Sequence, residues 1–334
     1  MLIVNRYRMS VRLINQCLKL QAVSHSTDNE PCFRGDKWDR AAAEICRQHR
    51  INYSIILRSP NSENVVFLVD KEFVIKIFAP FRDMYSREVW ALRIAHGKLG
   101  IKTPEVLYTG EINSRPYLVI KQLAGRSLQH PWSALRQRER CEVLSGLGAA
   151  MKQLHSWEFT LSQTVADDNN GWRVFLERQV RSSVERQRLR GASPQWLESL
   201  PRYLASGLSL LPTDHRHVLL HGDLHPGNLL FDRKGKHWRI VGLIDFADSL
   251  SGFCEYDFIK PVMHMAFGNC SLQRTLLLAY GYKEGELDLA LRRRLMLLTI
   301  LHEGSNMRMA ALRLQPKANA LALDELEARL WPFV

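Results

Sequence analysis

Asp223, Asn228 and Asp245 place two carboxylates and an amide oxygen within one short stretch of the chain. The first two lie in Val218-Leu-Leu-His-Gly-Asp-Leu-His-Pro-Gly-Asn-Leu-Leu-Phe231, and the third follows in Ile240-Val-Gly-Leu-Ile-Asp-Phe246. Two apolar strands, Leu229 to Phe231 and Trp238 to Ile244, are joined by the polar turn Asp232-Arg-Lys-Gly-Lys236. A hairpin brings the residue before its first strand and the residue after its second to the same end. Asn228 and Asp245 therefore meet, with Asp223 on the loop just upstream. Magnesium takes such oxygens and fills its other positions with water and phosphate. The remaining carboxylate is left to orient a hydroxyl and accept its proton, the division of labour that phosphoryl transfer requires. A rival arrangement takes His221, Asp223 and His225, alternate residues on an extended segment, as metal ligands of a hydrolase. It leaves Asn228 and Asp245 without a role.

The upstream half carries a second pair. In Phe73-Val-Ile-Lys-Ile-Phe78, Lys76 shares its strand face with Val74 and Phe78, which is not a solvated pattern. Glu88 lies on one helix face with Leu92, Ala95 and Leu99. An inward carboxylate on that helix and an inward lysine on that strand would pair, as they do where a lysine is held on ATP phosphates.

The elements that must position these groups follow from periodicity. Helices are expected from Asp39 to His49 and from Ser86 to Lys98, with a hairpin at Val65–Val69 and Phe73–Phe78 and a strand at Pro116–Gln122. After Gly125 the pattern is helical, over Arg138–Leu154, Trp172–Arg190 and Pro194–Leu208, then again from Tyr256 onward. The Arg173–Arg190 stretch is expected to be a solvated amphipathic helix. A β-rich part followed by a helical part puts a ligand cleft between them.

These motifs resemble those of the aminoglycoside phosphotransferase and choline kinase group, distant relatives of protein kinases, from about residue 55 to beyond Asp257. The resemblance implies an α+β, two-lobed protein-kinase-like fold, with a nucleotide-binding N-lobe at 36–122 and a catalytic, acceptor-binding C-lobe at 123–334. It implies Asp223 as catalytic base, Asn228 and Asp245 as Mg2+ ligands, and His221, His225 and Asp257 as supports of the loop. Lys76, fixed by Glu88, would hold the ATP phosphates, and backbone groups of Lys121 and Leu123 would meet the adenine edge. The loop Ser59-Pro-Asn-Ser-Glu-Asn64 would stand in for the glycine-rich loop, with Ser62 near phosphate and Pro60 lacking a donor. No Gly-x4-Gly-Lys-Ser/Thr motif is present, which excludes a P-loop enzyme. The implied reaction is ATP- and magnesium-dependent transfer to a hydroxyl of an aminoglycoside, aminocyclitol, sugar or amino alcohol. Alternatives of the same fold are a protein Ser/Thr kinase and a regulatory pseudokinase, the latter disfavoured because Lys76, Glu88, Asp223, Asn228 and Asp245 are all present. Acidic residues of the helical half, Asp248 and Glu255 foremost and Asp167, Asp168 and Glu303 besides, are candidates to bind the acceptor.

Bulk properties narrow the rest. The chain has 334 residues, 46% hydrophobic and 24% charged, enough for a large core. The net charge of +12 comes from dispersed arginines without a docking motif, so no nucleic-acid partner is expected. No apolar run reaches membrane-spanning length, and Leu295-Met-Leu-Leu-Thr-Ile-Leu301 is expected to be a buried helix. Six scattered cysteines suit reduced thiols in a cytoplasm. Residues 1–35, with Arg6, Arg8, Arg12 and Lys19 and no acid before Asp28, are expected to be an extension without a secretory signal.

Overall fold

Trp38, Ala41, Ala42, Ile45 and Cys46 recur at steps of three and four, and they form the buried stripe of helix α1, Lys37–Gln48. The computed structural model describes residues 36–59, 64–79, 83–128, 131–157, 168–212, 216–235, 237–315 and 321–334. The expected N-terminal extension, Ser62 and Asp167 lie outside them.

After α1 come β1 (Ile56–Arg58), β2 (Val65–Val69), β3 (Phe73–Ile77), α2 (Met84–Ala95), β4 (Val106–Ile112) and β5 (Arg115–Lys121). The strands form one antiparallel sheet in the order β1-β2-β3-β5-β4. Alternation along a strand sends successive side chains to opposite faces. Tyr117 and Val119 therefore join Phe67, Ile75 and Ile77 in a small core beneath α1, whereas Leu118 and Ile120 face Leu92 and the main core. Both faces are covered, so these strands read as continuous apolar runs. Strands β1 and β4 were not foreseen in the sequence. The β4–β5 turn uses Asn113 and Ser114, both with left-handed φ (50° and 56°), the geometry that a two-residue hairpin demands.

The second part begins with β6 (Arg126–Ser127), followed by α3 (Gln137–Leu154), α4 (Asp168–Leu189) and α5 (Pro194–Gly207). Then come β7 (Val218–Leu220), β8 (Leu229–Lys234), β9 (His237–Leu243) and β10 (Leu250–Gly252). Helices α6 (Ile259–Met265), α7 (Cys270–Tyr280), α8 (Leu289–Leu301), α9 (Met307–Leu314) and α10 (Leu323–Leu330) complete it. The small sheet and the helical part together make the mixed, two-lobed architecture expected from the sequence. As expected, α8 is buried all round from Leu295 to Leu301, and Thr299 Oγ1 satisfies itself on the Leu295 carbonyl. Among the described residues no helix is long and apolar enough to cross a membrane.

Two expectations are corrected. The expected turn at 232–236 is shorter, because Asp232 and Arg233 stay paired with Arg239 and Trp238. Helix α4 is not simply solvated: Gln179, Ser183 and Gln187 form a buried row, and Gln187 Nε2 donates to Ser305 O at 3.2 Å. A polar face with partners can be buried as readily as an apolar one.

The two parts are stitched together by backbone. Lys102 N donates to Val241 O and Leu243 N donates to Lys102 O, both at 2.9 Å. Helix α3 packs against α7 so closely that a Cβ on Gly148 would lie 2.6 Å from Leu276 O. Gly146, one turn-half away, has nothing within 4 Å. Gly148→Ala should therefore cost about 1–3 kcal/mol by overpacking. Gly146→Ala should gain about 0.5–1 kcal/mol by lowering the entropy of the unfolded chain. Urea unfolding of the two variants checks this, and equal effects at both positions would contradict the packing.

Candidate active site

Strand β7 delivers His221 into the interior, where the loop is pinned by one carboxylate. Asp257, on the 3-10 turn Cys254–Phe258, accepts His221 N at Oδ2 and Gly222 N at Oδ1, each at 2.8 Å. His155 Nε2 reaches the same carboxylate at 3.0 Å, and its Nδ1 lies 3.0 Å from the Tyr280 hydroxyl. His221 Nδ1 accepts Asp223 N at 3.2 Å, which leaves its Nε2–H to donate to Ile244 O at 3.1 Å. Burial lowers the His221 pKa, and the ring is neutral. Gly222 has a φ of 80°, and a Cβ there would stand 2.3 Å from Asp248 O. The turn into Asp223 admits no other residue without moving the backbone.

Asp223 is held from three sides. Its Oδ2 accepts Asn228 Nδ2 at 3.1 Å and lies 3.3 Å from His225 Nε2. Lys260 Nζ is 2.7 Å from Oδ1. His225 Nδ1 accepts Gly227 N at 3.0 Å, so Nε2 carries the hydrogen that faces Asp223. Burial raises the Asp223 carboxyl, but His225 and Lys260 outweigh it and hold the group well below the usual carboxylate range. A depressed pKa stabilises the fold above the unfolded value of 3.8, and that support is lost only as acid titrates the folded group.

The hairpin end closes as its topology requires, with Ile244 N donating to Asn228 O at 3.0 Å. Asn228 also spends its amide nitrogen on Asp223 O at 2.9 Å, so its Oδ1 remains as an acceptor. Asp245 takes a left-handed φ of 66°, a conformation that Asp tolerates at modest cost. That geometry turns its half-exposed carboxylate to Lys76, with Nζ–Oδ1 at 2.8 Å. Lys76 also contacts both oxygens of Glu88, at 2.6 and 2.9 Å. Burial opposes the ammonium, yet the two carboxylates prevail and raise the Lys76 pKa, so it stays charged. Burial pushes the Glu88 carboxyl up while the ammonium pulls it back.

The donor chemistry fits magnesium. Among the described residues no three His, Cys, Asp or Glu side chains could hold a metal by themselves. Asn228 Oδ1 and Asp245 instead offer two hard oxygens, which is what magnesium takes when phosphates and water supply the rest.

The structure thus brings together Lys76, Glu88, Asp223, Asn228, Asp245, His221, His225 and Asp257. Lys121 N–H is spent on Glu105 O at 3.0 Å, and Leu123 N–H has no backbone partner among the described residues. Glu255, expected to face an acceptor, is instead buried, with both oxygens on Arg294 and one on the Tyr282 hydroxyl. Asp248 is half-buried and engaged. Sequence reasoning missed Lys260, one turn beyond Asp257, and His155. The only signal for Lys260 was its spacing of three from a loop-anchoring acid.

Comparison with known proteins extends these observations. The family model of the phosphotransferase enzyme family (APH) matches residues 55–298. No curated protein sequence matches the chain. Among solved structures, the GDP complex of wild-type aminoglycoside 2'-phosphotransferase-IIIa is similar at 16% identity and a TM-score of 0.63, covering 89% of this chain and 99% of that one. The streptomycin–ATP–APH(2")-IIa ternary complex aligns at 20% identity and a TM-score of 0.54, over 77% of this chain and 88% of that one. Macrolide 2'-phosphotransferase MphH from Brachybacterium faecium aligns at 16% identity and a TM-score of 0.53, over 87% and 97%. At such identities the likeness establishes the fold.

The Lys76–Glu88 pair makes a testable statement about stability. Lys76→Met strands a buried carboxylate and should cost about 3–5 kcal/mol. Adding Glu88→Leu removes that stranded charge and should recover most of the loss. Urea titrations of both proteins decide the matter; a double variant no more stable than the single one would show that the two charges are not coupled.

Proposed function

The chain belongs to the phosphotransferase enzyme family, and from that premise we propose that it transfers the γ-phosphoryl group of ATP, with Mg2+, to a hydroxyl of a small molecule. The observation that carries the proposal is the meeting of Asp223, Asn228 and Asp245 at one hairpin end beside a buried, charged Lys76. Lys76, oriented by Glu88, holds phosphate oxygens as a fixed positive charge. Asn228 and Asp245 supply ligands to Mg2+, which when bound neutralises phosphate charge. Asp223, ionised at neutral pH, accepts the acceptor's hydroxyl proton. The acceptor oxygen bonds to the γ-phosphorus, the bond from that phosphorus to the bridging oxygen breaks, and the electron pair leaves with ADP. His221, His225 and Asp257 keep the loop in place, and the Lys121 carbonyl with the Leu123 N–H meets the adenine edge.

In this arrangement residues 36–122 form the nucleotide lobe and 123–334 the catalytic and acceptor lobe. We take the acceptor to be a small hydroxyl compound of sugar or alcohol type. The aminoglycoside and macrolide enzymes among the similar structures support a small acceptor over a protein one. Cys46, Cys141, Cys254 and Cys270 are free thiols, which suits a cytoplasmic setting.

Asp223→Asn keeps the side-chain shape and removes the base, so kcat should fall about 10²–10⁴-fold in a protein that still unfolds cooperatively. Turnover equal to the wild type would sink the assignment. Asp245→Ala should abolish the magnesium dependence of ATP binding in calorimetry with and without the ion. Retained dependence would move the metal site elsewhere.

A further inference from the structure

One carboxylate oxygen of Asp223, Oδ1, is closed to an incoming hydroxyl as the residues stand. Oδ2 takes Asn228 and faces His225. Oδ1 is buried, and the ammonium of Lys260 stands 2.7 Å from it without hydrogen-bond alignment. A base must present an oxygen to the proton that it takes. For Oδ1 to be that oxygen, Lys260 has to leave it when an acceptor enters. Its side chain is only 27% exposed, and a partly buried ammonium that gives up its counter-ion needs another.

Among the described residues the neighbourhood offers no carboxylate without a partner of its own. Asp257 is consumed by two backbone N–H groups and His155. Glu303 accepts Arg178 at 3.0 Å and Gln179 at 3.1 Å, and Glu255 is held by Arg294. Asp245 holds Lys76, and Asp248 is engaged. On the same side the rings of His225 and His264 lie 5.7 Å apart.

His302 adds an independent observation. It is 7% exposed, and its ring stacks on Tyr256 at 5.1 Å. Nδ1 accepts Gly304 N at 2.9 Å, so Nε2 carries the hydrogen, and among the described residues that buried N–H has no acceptor. Tyr256 immediately precedes Asp257 on the turn Cys254–Phe258, and Lys260 follows in the first turn of α6. An ammonium that must change counter-ion and a buried donor without an acceptor thus share one region.

We propose that the acceptor carries an anionic group, a carboxylate or a phosphate, bound by Lys260 together with the His302 N–H. This rests on phosphoryl transfer at Asp223. On entry the anion takes over the Lys260 ammonium, and Asp223 Oδ1 is released to the acceptor's hydroxyl. A polycationic acceptor would set like charge against Lys260 and find the nearby acids already paired, so the site selects by repulsion as well as attraction.

The test follows ADP release by the full-length protein with magnesium–ATP and two series of hydroxyl compounds matched in skeleton. One series is glucose, glucosamine, glucuronate and glucose 6-phosphate; the other is glycerol, serinol, glycerate and glycerol 3-phosphate. Water alone gives the background. The expected result is turnover above background with acid members, at about tenfold or more the kcat/KM of their amine and neutral counterparts. The carboxylates and phosphates form separate arms that identify the anion. Lys260→Gln should raise KM for the acid acceptor about tenfold more than KM for magnesium–ATP, and Lys260→Arg should recover it. Preference for amine or neutral members, or no turnover of any acid member, overturns the proposal. So does a Lys260→Gln loss of kcat equal for every acceptor, which would place the ammonium on the transferring phosphoryl group. Absence of both nucleotide binding and magnesium-dependent ADP release would instead defeat the underlying phosphoryl-transfer assignment.

Discussion

One ammonium between two carboxylates holds this structure's two halves in a common electrostatic problem. Lys76 rises from the sheet, Glu88 descends from α2, and Asp245 arrives from the far side on a hairpin end. None of the three could be buried or half-buried alone without a large desolvation cost. Their mutual contact offsets it and fixes strand, helix and hairpin relative to one another. The left-handed backbone at Asp245 belongs to the same constraint, because it aims the carboxylate across the cleft at the lysine.

A second fixed charge organises the opposite wall. Asp257 spends its oxygens on the backbone of His221 and Gly222, so the loop that presents Asp223 is held by main chain. Main-chain anchoring tolerates changes in neighbouring side chains better than side-chain packing does. It leaves His225 and Lys260 to keep Asp223 ionised. Shape and ionisation of the loop thus have separate physical origins.

The parts of the site that could be read from sequence are those whose geometry is local. A hairpin end must bring Asn228 and Asp245 together, and a lysine among apolar neighbours on a strand must find a counter-charge. What escaped depends on distant pairings. Lys260 and His155 look ordinary until tertiary folding sets them against Asp223 and Asp257. Glu255 looked available because Arg294, 39 residues away, gave no sign of claiming it. Strand β4 was hidden by its uneven burial and by an Asn113–Ser114 turn in place of a glycine signal. The arginines of α4 masked a buried row of glutamine and serine, since composition cannot tell a satisfied polar face from a wetted one.

The backbone bonds from Lys102 to Val241 and Leu243 have a mechanical side. The covalent connection between the two parts runs near Gln122 to Gly125, and Lys102 gives a second attachment to the same stretch of β9 that this connection packs against. A rigid piece attached at a single point can tilt and twist in any direction. One attached at two keeps a single swing about the line joining them, like a door on a pair of pins. With both pins on β9, the sheet is held at this edge, and the Lys76–Asp245 contact is the bond that closes it on the other side.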